Sequence, residues 1–130
     1  MKATDVVKVL IWEDASCTVF ARIRGNTGAY VTQASLTSIA CKVFDLDNAN
    51  TQVSAPTVTI SSAVFDTLQT SSNDVRWTID TTGFNFRFTV PASAFPLGER
   101  NYRVEVVFTP TSGDVFAVVY TVHSQGLFSS

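Results

Sequence analysis

Apolar and polar side chains alternate through long stretches of the chain, and that period of two is the signature of strands with one buried face. It is clearest where Phe84, Phe86, Phe88 and Val90 alternate with Asn85, Arg87 and Thr89. It returns where Tyr102, Val104, Val106 and Phe108 lie opposite Arg103, Glu105 and Thr109. Cys17, Val19, Ala21 and Ile23 form a third such face, and Ile39, Cys41 and Val43, with Lys42 between them, a fourth. Val6 to Trp12, a short Val58–Ile60 segment and Val115 to Val122 bring the count to about seven strands. Turn chemistry separates them: Gly25, Asn26 and Gly28, then Asp45 to Asn50, Pro91 to Gly98, and Pro110 with Ser112, Gly113 and Asp114. Val64, Phe65 and Leu68 are spaced for one or two helical turns. Trp77 sits in an alternating run from Arg76 to Ile79, which predicts a core role. Seven short strands with turns every 10 to 15 residues or so predict an all-β chain folded as a single β-sandwich over residues 1–130, with short flexible termini and a mobile tail from Gly126 to Ser130.

The last strand departs from the pattern. Phe116, Val118, Tyr120 and Val122 make one apolar face, and Val115, Ala117 and Val119 make the other. A solvated face does not read so; either a further element of the domain covers it or a neighbouring protein does. Val107, on the outer phase of the preceding strand, extends the patch, and Leu127 and Phe128 place two large apolar residues in a Gly/Ser tail. Val107, Val115, Ala117, Val119, Leu127 and Phe128 are therefore the candidate interface.

Composition agrees with strands. The 130 residues include 18 Val, 17 Thr and 5 Ile against 6 Leu, 3 Glu and 3 Lys, a β-branched excess that favours extended backbone. Apolar residues at 45% and charged residues at only 15% exclude a disordered chain. A net charge of −2 gives no field to attract nucleic acid or an anionic membrane. Lys8 interrupts the apolar Val6–Trp12 segment, which is too short for a membrane span or a signal sequence, so the expected place of synthesis is a cytosol. Two cysteines, Cys17 and Cys41, fall on inward phases, and a reducing compartment predicts two buried thiols rather than a bridge.

Catalytic chemistry is sparse. The one histidine, His123, precedes Ser124 without a nucleophile elbow. Two isolated cysteines and a remote histidine offer no zinc spacing. Asp45-Leu46-Asp47-Asn48 resembles the start of a calcium loop, but Asn50 and Pro56 stand where such a loop needs Gly and Glu, so a polar turn is expected. Neither a phosphate loop nor a basic stripe is present, and three glutamates in the whole chain give no evident glycosidase pair. No enzyme, metal or cofactor is expected. Trp12, Tyr30 and Trp77 are the candidate stacking residues for a carbohydrate or cell-surface ligand.

Several segments resemble small structural proteins of tailed phages and prophages: Val19-Phe20-Ala21-Arg22-Ile23, Tyr30 to Leu36, Lys42-Val43-Phe44-Asp45-Leu46, Val64 to Gln69, Phe88-Thr89-Val90-Pro91 and Tyr102-Arg103-Val104. The resemblance covers most of the chain, and an aromatic would stand at Cys41. It implies an immunoglobulin-like sandwich, with Tyr102 bonding its hydroxyl back to the preceding corner. It also implies virion structure rather than an activity. Together with the absent chemistry, the two-faced apolar last strand and the apolar tail, this leads to the expectation of a homo-oligomer that decorates or cements the capsid on the major capsid protein, or else a tail or neck component. The competing expectation is a carbohydrate-binding module of the same fold.

Overall fold

The computed structural model describes residues 2–25 and 27–127, with side chains from residue 9 onward. Among the described residues eight strands form two sheets. The larger runs β1(Lys2–Trp12), β8(Phe116–Gln125), β7(Arg100–Pro110), β3(Leu36–Asp45), β4(Thr51–Ser54); the smaller runs β2(Cys17–Ala21), β6(Phe84–Val90), β5(Val64–Gln69). All neighbours are antiparallel except β1, which lies parallel to β8. The all-β sandwich is as the alternation predicts.

Three expectations are corrected. Among the described residues the strands number eight rather than about seven, since β4 and β5 are gained and the 58–60 segment is lost; β4 is an exposed edge of mostly polar residues that carries no apolar alternation. The helical spacing at 64–68 belongs to a strand: the single turn α1(Ile60–Ala63) stops just before it, and Val64 pairs with Phe86. The Val58–Ile60 segment makes no strand, and only Thr57 bridges to Ala40.

Between the sheets, Phe116, Val118, Tyr120 and Val122 meet Tyr102, Val104, Val106 and Phe108, together with Cys17, Val19, Cys41, Val43, Phe86 and Val90, all buried. The Phe108 ring stacks on Phe116 at 5.0 Å and takes Phe86 of the facing sheet edge-on at 5.1 Å. Tyr120 crosses the sandwich to donate its hydroxyl to the Phe20 carbonyl at 2.8 Å. The Leu97 amide donates to the Tyr102 hydroxyl at 3.4 Å, closing the corner before β7. Cys17 and Cys41 are free and buried, and desolvation pushes their thiols up to about 11 and about 12. Both are protonated and unreactive at neutral pH.

Phe84 does not share the face of Phe86. It lies against Phe20, Phe65 and Trp77, at 4.9, 5.8 and 5.3 Å, in a second aromatic cluster on the outside of the small sheet. The segment 70–83 folds back to roof this cluster, and the Trp77 indole N–H donates to the Asp80 carbonyl at 2.9 Å. Arg76 lies over Phe20 and Arg87 over Phe65, and the buried Asp74 carboxylate accepts from both guanidinium groups at 2.7 and 3.0 Å. Gly83 ends the roof with φ +106, where a side chain would run into the Gln69 carbonyl.

The Arg76 hydrogen bonds, helped by Arg87, hold the Asp74 carboxyl well below its ordinary value of 3.8. A carboxyl whose pKa is lower in the folded than in the unfolded chain contributes stability in full above the unfolded value, and loses it as pH falls through the folded one. The melting temperature is therefore expected to hold down to about pH 4 on this account and to drop below it. Asp74→Asn should remove much of that acid limb and cost about 1–3 kcal/mol at pH 7, less than a fully buried pair because Arg76 is half exposed. Thermal melts from pH 7 to 2 check this, and an unchanged acid limb in the variant would contradict it.

Ser124 Oγ is buried without a hydrogen-bond partner among the described residues. Ser124→Ala is expected to raise stability by up to about 1 kcal/mol, since an unsatisfied hydroxyl costs more than the apolar contact that replaces it. Urea titration reads the sign, and a loss of stability would show the hydroxyl to be satisfied.

Candidate functional site

At one end of the sandwich the chain leaves β2 and makes a small hairpin before entering β3. Asn85 holds the start of this excursion: its side chain accepts from the Ile23 amide at 2.7 Å and donates to the carbonyls of Ile23 and Val31 at 2.9 and 3.1 Å. A buried amide thus stands where β6 has no further strand to pair with. Beyond it Arg24 bridges to Tyr30, the Val31 amide donates to Ile23, and Gly28, at φ +85, makes the turn. The Arg24 guanidinium lies 4.5 Å from the Tyr30 ring centroid, donates to the Tyr30 hydroxyl at 2.8 Å and reaches the Gly28 carbonyl at 3.4 Å. The ring is held at both its edge and one face.

The loop between β7 and β8 faces this hairpin, joined to it by the Thr111 amide, which donates to the Ser35 carbonyl at 3.0 Å. Gly113, at φ +102, turns the loop tip. A cleft of about 450 Å³ opens between the two, with Tyr30 and Ser35 on one wall, Thr111, Ser112 and Asp114 on the other, and Leu36 and Phe116 among the apolar residues beneath.

The opposite end gathers the chain's carboxyl side. The Gly126 amide donates to Glu99 Oε1 at 3.0 Å and the Leu127 amide to Glu13 Oε1 at 2.6 Å. Gly98 and Gly126 meet backbone to backbone; a Cβ on Gly98 would sit 2.5 Å from the Gly126 Cα. Trp12 pairs with Gln125 there, and Trp12, Leu97 and Leu127 are exposed to 53%, 46% and 41%. Leu10, on the same face of β1 as Trp12, is 70% exposed.

The candidates thus separate. Tyr30 lines the cleft, while Trp12 stands at the other end and Trp77 is buried under the 70–83 roof, so the three rings form no common platform and Trp77 cannot stack on a ligand. Of the candidate interface, Ala117 and Val119 are buried within the subunit. β8 is an interior strand, hydrogen-bonded to β1 along one edge and to β7 along the other, and on its outer face Ala117 and Val119 are buried while Val115, Thr121 and His123 are half-buried. Val107 and Val115 are half-buried, Leu127 is exposed, and Phe128 lies outside the described residues. Sequence reasoning passed over Arg24, which carries the Tyr30 ring, and took Asp114 only as a turn residue.

His123 and Ser124 project to opposite faces of β8; His123 Nδ1 meets Asn101 Oδ1 at 2.9 Å, and Ser124 is turned into the core. Asp45 and Asp47 spend their carboxylates on the turn itself and on Arg100 and Asn101. Among the described residues no group of three His, Cys, Asp or Glu side chains is placed to hold a metal, and no helix is long and apolar enough to cross a membrane. Comparison with protein-family models and with curated proteins finds no match for the chain.

Proposed function

We propose that this is a non-enzymatic structural protein of a tailed-phage virion, a capsid decoration or cement module that docks by its carboxyl-terminal end. The observation that carries this reading is the set of exposed apolar side chains at that end, Trp12, Leu97 and Leu127, where Glu13 and Glu99 hold the backbone at residues 126 and 127. A preorganised apolar patch loses little entropy on docking. Many copies on a symmetric shell then sum modest interfaces into a strong one. The docking surface is moved from the outer face of β8, where Ala117 and Val119 are buried within the subunit, to this end.

The immunoglobulin-like character belongs to the same proposal. Strands β2, β6 and β5 in one sheet and β8, β7, β3 and β4 in the other follow the strand order of such domains, and the Leu97–Tyr102 contact stands at the matching corner. The major capsid protein is the proposed partner, with a tail or neck protein as the alternative site.

Cosedimentation with purified phage heads and tails assembled without the protein tests the proposal. The chain is expected to pellet with heads, and Trp12→Ser combined with Leu127→Ser to weaken that binding at least tenfold while the fold melts as before. A chain that stays monomeric by light scattering and ignores both heads and tails would overturn it.

A further inference from the structure

We propose that the cleft between the 24–31 hairpin and the 110–115 loop is a binding site for a neutral pyranose sugar, a function that goes beyond docking and stands independently of it. Tyr30 lines the cleft and Arg24 does not, so the guanidinium backs the ring from behind and leaves its other face toward the cavity. An aromatic face presented this way accepts the C–H face of a sugar ring, and because the ring is already fixed, stacking on it immobilises little.

The opposite wall supplies the polar half of the recognition. The Asp114 carboxylate has no hydrogen-bond or ion-pair partner among the described residues, and the Ser112 and Thr27 hydroxyls in the same cleft make no side-chain hydrogen bond among them either. A carboxylate accepts from two neighbouring hydroxyls of one ring, and serine and threonine hydroxyls both give and accept. The volume is within the range of small-ligand pockets, and loops of Gly, Ser, Thr and Tyr on a rigid sandwich are the composition that adaptable recognition loops use.

Charge selects among ligands. Among the described side chains no lysine or arginine lines the cleft, and Asp114 repels anions, which disfavours phosphates, nucleotides and sialic acid. An apolar peptide would leave the carboxylate without a partner. An uncharged sugar with an apolar face and adjacent hydroxyls satisfies both walls.

Saturation-transfer and chemical-shift titrations with methyl glycosides of glucose, galactose, mannose and N-acetylglucosamine test this, with sialyllactose and a lysine-rich peptide as competitors. At least one neutral glycoside is expected to bind with a Kd on the order of 1 mM, as suits one stacked ring and a few hydrogen bonds. Tyr30→Ala and Asp114→Asn should each weaken it at least fivefold, Tyr30→Phe should retain most of it, and Trp12→Ser should leave it unchanged, with melting temperatures confirming the fold of each variant. No response to any neutral glycoside up to about 20 mM, equal or tighter binding of sialyllactose or the peptide, or binding indifferent to both cleft variants would each overturn the assignment. Head binding is read separately, so failure here leaves the docking proposal standing and the reverse holds too.

Discussion

Phe86→Ala is expected to lower the free energy of unfolding by about 3–5 kcal/mol. Phe86 is fully buried and is the ring of the small sheet that meets the Phe108–Phe116 stack of the large one. Truncation removes the transfer energy of a phenyl group and leaves a cavity between two sheets that are each held rigid by their own ladders, so little collapse relieves it. Urea denaturation measures the loss. A value under about 1 kcal/mol would mean that the sheets close without this ring.

Asn85→Ala is expected to cost about 2–4 kcal/mol, and the source is polar rather than apolar. Two backbone groups, the Ile23 amide and the Val31 carbonyl, rely on this one buried side chain, which also gives the Ile23 carbonyl a second donor beside the Val31 amide. Alanine strands the first two away from water, and no neighbouring strand is available to replace the amide. The loss should be local in its dynamics as well: amide hydrogen exchange over residues 23–31 is expected to accelerate far more than that of β7 and β8. A variant that loses stability with no change in exchange at 23–31 would detach Asn85 from the hairpin that carries Tyr30.

How legible these features are depends on where each side chain ends up. β3 and β7 were readable because one face of each packs into a single core, and burial on one side prints a period of two. β4 left no print because nearly all of it is solvated at a sheet edge. β5 misled because its apolar residues divide between two cores: Val64 joins the main one, whereas Phe65 turns to the outer aromatic cluster, and a strand apolar on both faces loses its alternation. Phe84 hid in the same way, continuing the apparent ladder of Phe86 while serving the other side.

The cleft was legible only in part. Tyr30 stood out as an aromatic residue in a glycine-rich turn, but its cationic backing by Arg24 and its distance from Asp114 are products of strand pairing, on which spacing along the chain is silent. The apolar outer face of β8 was visible from the sequence, and the strand's place inside its sheet was not. A parallel neighbour from the far end of the chain cannot be inferred from local pattern, since no hairpin turn announces it.

That parallel neighbour governs how the module bears load. Lys2 lies beside Phe116 and Trp12 beside Gln125, so β1 and β8 run the same way over nine paired residues and their outer ends point to opposite poles. Tension applied between the start of β1 and the end of β8 is directed along both strands, and the ladder must slip as a whole rather than unzip bond by bond.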